Sequence, residues 1–281
     1  AIQATPVVYG AAGPLRQRDV PARASASAAW RGTLGARTHG RLGRYIFFDV
    51  EATATRERPP RVEFNTPGRP TAPRLGKVTL RDDTYGYADV RGVVGLRTRF
   101  FELRAGRDRN RWGPGSGSVM LSNYGPAHNQ VQLRTTVGRV QYTNLFSQYA
   151  APAGPSAPDE TPDFSRRPRS YGASHRLALR VSDRVELGAF ETIVFAPERD
   201  STVNRGGFDI AYLNPIVFLR GVERELGSPD RAIIGIDGAW TVTQGLRLYG
   251  QFILDELVVS EIGNQWWGNK WAWTLGAHWV P

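Results

Sequence analysis

The chain contains no cysteine, so neither a disulfide framework nor a thiolate metal site can hold its fold. Lysine is nearly absent: Lys77 and Lys270 stand alone, and arginine supplies the rest of the 36 cationic side chains set against 26 acidic ones. Long apolar runs are missing as well. No stretch approaches the roughly 18 to 20 apolar residues of a membrane-spanning helix, which argues against a helical membrane protein. The opening AIQATPVVYGAAGPLRQRDVPARA lacks the basic start and apolar core of a signal peptide and suits a mature terminus.

Signatures of catalysis are equally scarce. His39, His128, His175 and His278 have no metal-ligand spacing, and no G-x-S-x-G elbow occurs. The glycine-rich GPGSGS lacks the Lys-Ser/Thr ending of a phosphate loop. Ser174 beside His175, and Asp255 beside Glu256, are strand neighbours whose side chains face opposite ways. They form no nucleophile–base pair and no shared acid–base site. The expectation is a protein without enzymatic activity, metal or cofactor.

What is present is positive charge and alternation. The net charge of +10 favours an anionic partner such as nucleic acid, lipid A phosphate or acidic polysaccharide. Nucleic acid fits poorly, because the arginines run through nearly every strand instead of gathering on one face with aromatic readers. In HRLALRVSDRVELGAFETIVF (175–195), Leu177, Leu179 and Val181 alternate with Arg176, Ala178 and Arg180 up to a Ser-Asp-Arg turn. The same hairpin pattern recurs over 25–56, 87–109, 129–146 and 232–256. Between the hairpins lie long Gly- and Pro-rich connections, over 57–85, 107–128, 150–171, 197–207 and 257–270.

Short turn, long loop, short turn is the rhythm of an outer-membrane barrel. The expected fold is therefore an all-β antiparallel transmembrane barrel with a polar lumen, short periplasmic turns and long outer loops. Residues 1–24 read as an extended segment ahead of one barrel domain, 25–281. A soluble β-sandwich is the competing architecture. One stretch, FDIAYLNPIVFLRGVERELGSPDRA, breaks the alternation and reads as a short helix or broken strand over roughly 216–226. Trp271, Trp273 and Trp279 suit either an aromatic girdle at the membrane surface or ordinary packing.

Three blocks carry a family resemblance. GRDRNRWGPGSGSVMLSN, YLNPIVFLRGVERELGSPDRAIIGIDGAW and GLRLYGQFILDE, in that order, resemble the Wzi-type capsule-assembly proteins of the outer membrane. The resemblance spans roughly 87–257. It implies a surface-looped barrel, set in outer-membrane lipid and lipopolysaccharide, that binds or organises an acidic capsular polysaccharide without chemistry. Barrels of that family are larger than 281 residues allow, and the chain ends HWVP where such barrels commonly end on an aromatic residue. Both features lead us to expect further strands beyond Pro281.

The candidate site is the segment after the strand that ends near Arg109. Arg107, Arg109 and Arg111, with Asn110 and Asn123, offer planar donors for carboxylates and hydroxyls, and Trp112 and Tyr124 offer rings for a sugar face. Two readings remain open: these groups contact a glycan, or the arginines pair with inward acids such as Asp108, Glu102 or Asp255 and brace the lumen. A wider lumen charge network is expected from Glu102, Arg104, Arg134, Arg176, Arg180, Arg220, Glu223, Arg247 and Asp255. The alternative function for the same arginines is the lining of a passive, anion-preferring channel.

Overall fold

The structure, a computed structural model, describes residues 2–13, 29–58, 79–81, 84–115, 117–150, 169–195, 231–255, 263–264 and 270–280. They form one antiparallel sheet. Its strands are β1 (Ile2–Gly13), β2 (Ala29–Leu42), β3 (Ile46–Arg58), β4 (Thr79–Arg81), β5 (Thr84–Arg97), β6 (Phe101–Asp108) and β7 (His128–Val137). They continue as β8 (Val140–Ala150), β9 (Arg169–Arg180), β10 (Val185–Phe195), β11 (Arg231–Thr243), β12 (Leu246–Asp255) and β13 (Lys270–Trp279). Each pairs with its sequence neighbours in a simple meander, except that short β4 pairs with β5 off the main path. All five expected hairpins form, as β2–β3, β5–β6, β7–β8, β9–β10 and β11–β12. Their short turns share one end of the sheet.

The N-terminal segment departs from expectation. Residues 2–13 do not precede the sheet; they are its first strand, with Val8 opposite Leu34 and Pro6 opposite Ala36. A proline lacks the N–H that an interior strand must donate. Pro6 fits because, among the described residues, β1 pairs on one side only. The irregular segment expected near 216–226 lies outside the described residues.

Distance shows that the sheet is curved. Gly113 comes against the side chain of Gln251 on β12, yet it stands only five residues beyond the end of β6. Six strand spacings of a flat sheet separate β6 from β12 by about 29 Å. Five extended residues reach about 18 Å at most. The sheet must therefore curl around an interior, bringing β12 toward β6.

That interior is polar and the outside is apolar. Glu57, Gln132 and Asp237 are 4%, 2% and 5% exposed, whereas Leu34, Ile236 and Leu275 are 67%, 61% and 73% exposed. Register makes this systematic. Arg104, Gln132, Leu145 and Ser174 face each other across four strands on the inner side. On the outer side Leu103 opposes Leu133, and Leu177 opposes Tyr142 and Ala189. A sheet in water has the opposite preference, because each apolar side chain left out costs about 1.5–3 kcal/mol.

Among the described residues, the outer face carries one fully buried pair of polar side chains. His175 and Glu191 oppose one another there and are 0% and 1% exposed. His175 Nδ1 lies 2.8 Å from Asn144 Oδ1 and 2.9 Å from the Tyr142 hydroxyl. Ser174 points inward and accepts a hydrogen bond from Thr192 at 3.1 Å. The strand alternation thus separates Ser174 from His175, as expected.

Candidate functional site

The site is the interior beneath the segment joining β6 to β7. β6 ends at Asp108, whose Oδ1 accepts the Arg109 N–H at 2.8 Å and turns the chain off the ladder. The segment then runs inward. The Asn110 amide donates to the Gln130 side chain and accepts from Gln132 at 3.5 Å. Trp112 is buried, and its N–H donates to the Leu121 carbonyl at 3.0 Å. On the far wall, Gln251 secures the crossing. Its Nε2 donates to the Trp112 carbonyl at 3.2 Å, and its Oε1 accepts the Val119 N–H at 2.9 Å.

Close approach requires glycine at two places. Gly113 has φ +85°, and a Cβ there would stand 1.7 Å from Gln251 Nε2. Gly115 has φ +97°, and its Cβ would meet the Tyr249 ring at 2.2 Å. Both conformations lie in the region that L side chains rarely adopt. The glycine-rich composition of this connection is therefore what lets it lie flat against β12.

The two sides of the interior differ. Toward β8–β11 it is filled: Leu145, Ser174, Ala178 and Phe190 are buried. The Arg176 guanidinium is held there by Asp237 at 2.9 and 2.6 Å and by Glu186 at 3.3 Å. Toward β2–β7 the wall is a ladder of arginines and carboxylates. Arg37 pairs with Asp49 at 2.9 and 2.5 Å. Arg91 pairs with Glu51, and also reaches Asp89 at 3.5 Å and Asp108 at 3.9 Å. Arg104 reaches Asp108 at 3.1 Å, and Glu102 lies between Arg97 at 2.5 Å and Arg134 at 3.8 Å. Arg31 pairs with Glu57 near the long-loop end.

Two spaces open beside this ladder. A cavity of about 520 Å³, toward the short turns, is lined by His39, Arg41, Phe47, Arg97, Glu102, Arg104 and Arg134 among others. A smaller one of about 140 Å³ adjoins it between Arg37, Glu51, Arg91 and Asp108.

The expected site residues are divided by this geometry. Arg107 lies opposite Gly92 and Asn129 on the outer face and is exposed. Arg109 is inside, 2.8 Å from Asp89 and donating to the Gly125 carbonyl at 3.0 Å. Arg111 donates to the Gly115 carbonyl within its own connection. The three arginines do not form one cluster, because Arg107 is still in the strand alternation while Arg109 and Arg111 are beyond it. Asn123 and Tyr124 are exposed.

Glu102, Arg104 and Arg134 come together, and Arg176 belongs to the opposite wall. Arg180 and Arg247 face inward opposite Glu186 and Thr241, and Asp255 opposite Ile233 and Lys270. Arg220 and Glu223 lie outside the described residues. The sequence reading passed over Arg37, His39, Arg41, Asp49, Glu51, Asp89, Arg91 and Gln251. All eight lie on strands, in the polar phase of the same alternation, so the signal for an inward face was available. For Gln251 it was the partners that had no signal, because they lie 132 and 139 residues away.

No family model matches the chain, and no curated protein matches it. Among solved structures, the chain is similar to OccK8 (OprE) of Pseudomonas aeruginosa, known from a crystal structure. The identity is 11% and the TM-score 0.44, over 91% of this chain and 54% of that one. The chain thus spans about half the length of that protein.

Proposed function

We propose that the protein is a passive channel of the bacterial outer membrane whose lumen prefers small anions. The observation that carries this reading is the inverted sheet, with charged and amide side chains inside and leucine, isoleucine, valine and tryptophan outside. Such a surface suits outer-membrane lipid and the acyl region of lipopolysaccharide, and a polar interior suits water and solutes.

Within that lumen the segment from Arg109 to Ala127 narrows the passage from one side. The solute path runs along the β2–β7 wall. Arginines set the sign of the potential there, and carboxylate partners hold most of the guanidinium groups in place. An anion exchanges water for guanidinium donors step by step, with no single contact strong enough to trap it.

The polysaccharide-organising role implied by the Wzi-type resemblance draws less support. It calls on the Trp112 ring as a platform, and that ring is buried beneath the loop. Arg111, Asn123 and Tyr124 remain exposed for such a role.

The test is reconstitution of the purified chain in planar bilayers under a KCl gradient. Stepwise conductance with a reversal potential on the chloride side is the expected result. A protein that folds in detergent, conducts nothing and binds surface polysaccharide would replace the channel with the capsule role.

A further inference from the structure

We infer that the rim formed by the short turns is a binding surface for anionic phospholipid, with Arg44, Arg99, Arg139 and Arg184 taking headgroup phosphates of the periplasm-facing leaflet. Such a surface requires the outer face to lie in lipid, as the channel reading does, but it requires no conduction.

Charge of one sign is gathered there. The five short turns, 43–45, 98–100, 138–139, 181–184 and 244–245, hold four arginines against one acid, Asp183. The long connections hold cations and acids in similar number. All four turn arginines are exposed, and they stand outside the strand ladders that carry the arginine–carboxylate wall. Arg139 lies 4.0 Å from Asp183, whose side chain is 94% exposed. Arg44, Arg99 and Arg184 have no acidic partner among the described residues.

Backbone hydrogen bonds tie each of these turns to the next hairpin. The Tyr45 carbonyl accepts the Arg97 N–H at 2.8 Å, and that of Phe100 accepts the Thr136 N–H at 2.8 Å. The Arg139 carbonyl accepts from Arg180 at 2.9 Å, and that of Arg184 accepts from Thr241 at 2.8 Å. The Arg139 side chain also donates to the Val181 carbonyl at 2.9 Å. Successive arginines thus stand two strand spacings apart, about 10 Å. That is close to the Debye length at physiological salt, so their potentials overlap.

The apolar neighbours set the height of the rim. Leu42 and Ile46 stand two residues either side of Arg44, Phe101 stands two beyond Arg99, and Val137 two before Arg139. All four are exposed on the outer face. Two residues span about 7 Å at most, so these guanidinium groups lie beside the edge of the apolar band, at the level of headgroups. The Arg44 and Arg99 guanidinium groups are 5.6 and 5.1 Å from the ring centres of Tyr45 and Phe100. Both rings are exposed, as suits aromatic residues at a membrane interface. A guanidinium fork binds phosphate through two parallel hydrogen bonds and keeps its charge.

Quenching of tryptophan fluorescence by brominated lipid tests the surface, because Trp240 and Trp279 are exposed close to the rim. The 281-residue chain is reconstituted in phosphatidylcholine vesicles containing brominated phosphatidylglycerol, and in the reverse mixture, to give the relative affinity. Phosphatidylglycerol should be preferred roughly fivefold at low salt, the effect of about one arginine at a charged membrane surface. The preference should fall as salt rises. The fourfold variant Arg44→Gln, Arg99→Gln, Arg139→Gln and Arg184→Gln should lose more than half of it, with its β-sheet confirmed by circular dichroism. Arg44→Lys and its three counterparts together should keep most of it, and Asp183→Asn should strengthen it. Arg56→Gln, which removes an exposed outer-face cation at the long-loop end, should keep it.

An unchanged preference in the fourfold glutamine variant would overturn the surface, and so would an equal loss in Arg56→Gln. Inorganic phosphate that displaces the lipid more strongly than chloride at equal ionic strength would overturn the lipid assignment in favour of a soluble anion. Arginine-dependent co-sedimentation with peptidoglycan, without a lipid preference, would overturn it in favour of the acidic wall polymer. A phosphatidylglycerol preference in a chain that conducts nothing would keep the rim and remove the channel. Anion-selective conductance without the preference would do the reverse.

Discussion

The side chain of Gln251 donates to the carbonyl of Trp112 at 3.2 Å, joining two residues 139 positions apart across the interior of the sheet. The same amide accepts from Val119, so one side chain of β12 fastens two points of the infolded segment. Gln251→Leu removes both bonds, each contributing about 1 kcal/mol. The expected outcome is a folded protein with larger and noisier single-channel steps. Faster cleavage by a protease within residues 109–127 would report the release directly, and unchanged conductance would show that the segment does not set the passage.

Gly113 should resist replacement for two separable reasons. In Gly113→Ala the new Cβ meets Gln251 and is also forced into a left-handed conformation, which costs about 1–3 kcal/mol. Adding Gln251→Ala should relieve the contact and leave the conformational part. Thermal unfolding of the two single variants and the double variant separates these terms, since contacting residues are not additive.

The Arg176–Asp237 pair is nearly sealed from solvent, with side-chain exposures of 11% and 1%. Asp237→Asn leaves a buried guanidinium with only Glu186 opposite it. Losing one partner of a buried pair costs about 3–5 kcal/mol. The midpoint of unfolding in detergent with denaturant should fall accordingly. By contrast, Asp183→Asn breaks a 4.0 Å contact between exposed side chains and should leave the midpoint in place.

Position on the sheet decides what a new charge does. Ile236 is 61% exposed on the outer face, and Ile236→Arg should impair insertion into lipid vesicles, by about 2–4 kcal/mol if it lies near the midplane. Gln141 faces the other way, opposite Ala178 and Thr136, so Gln141→Arg should insert normally. Equal tolerance at both positions would mean that the outer face does not meet lipid.

The strands were legible because their signal is local. Alternation in HRLALRV or NQVQLR carries the strand, its face and the hairpin partner within twenty residues, so the register at Leu177 or Gln132 follows directly. The first strand was not legible. The segment IQATPVVYGAAG has a proline and a run of small residues, and its pairing with β2 depends on the neighbour more than on its own pattern. The site was half legible. Inward arginines could be read from alternation, but their partners could not. Arg109 finds Asp89 instead of Asp108, Glu102 or Asp255, because the chain leaves the ladder at Asp108 and the period of two ends there. The landing of Trp112 against Gln251 depends on closure of the whole sheet, which no window of sequence contains.

The polar cluster of His175, Glu191, Asn144 and Tyr142 gives the molecule a front and a back. His175 and Glu191 are closed to the surface, so in the proposed channel that part of β9 and β10 offers lipid no polar contact. The exposed apolar side chains, among them Leu34, Ile236 and Leu275, lie elsewhere on the sheet. Seen down its axis, the protein is not rotationally equivalent, and neighbouring molecules in the same membrane meet a different surface according to the side from which they approach.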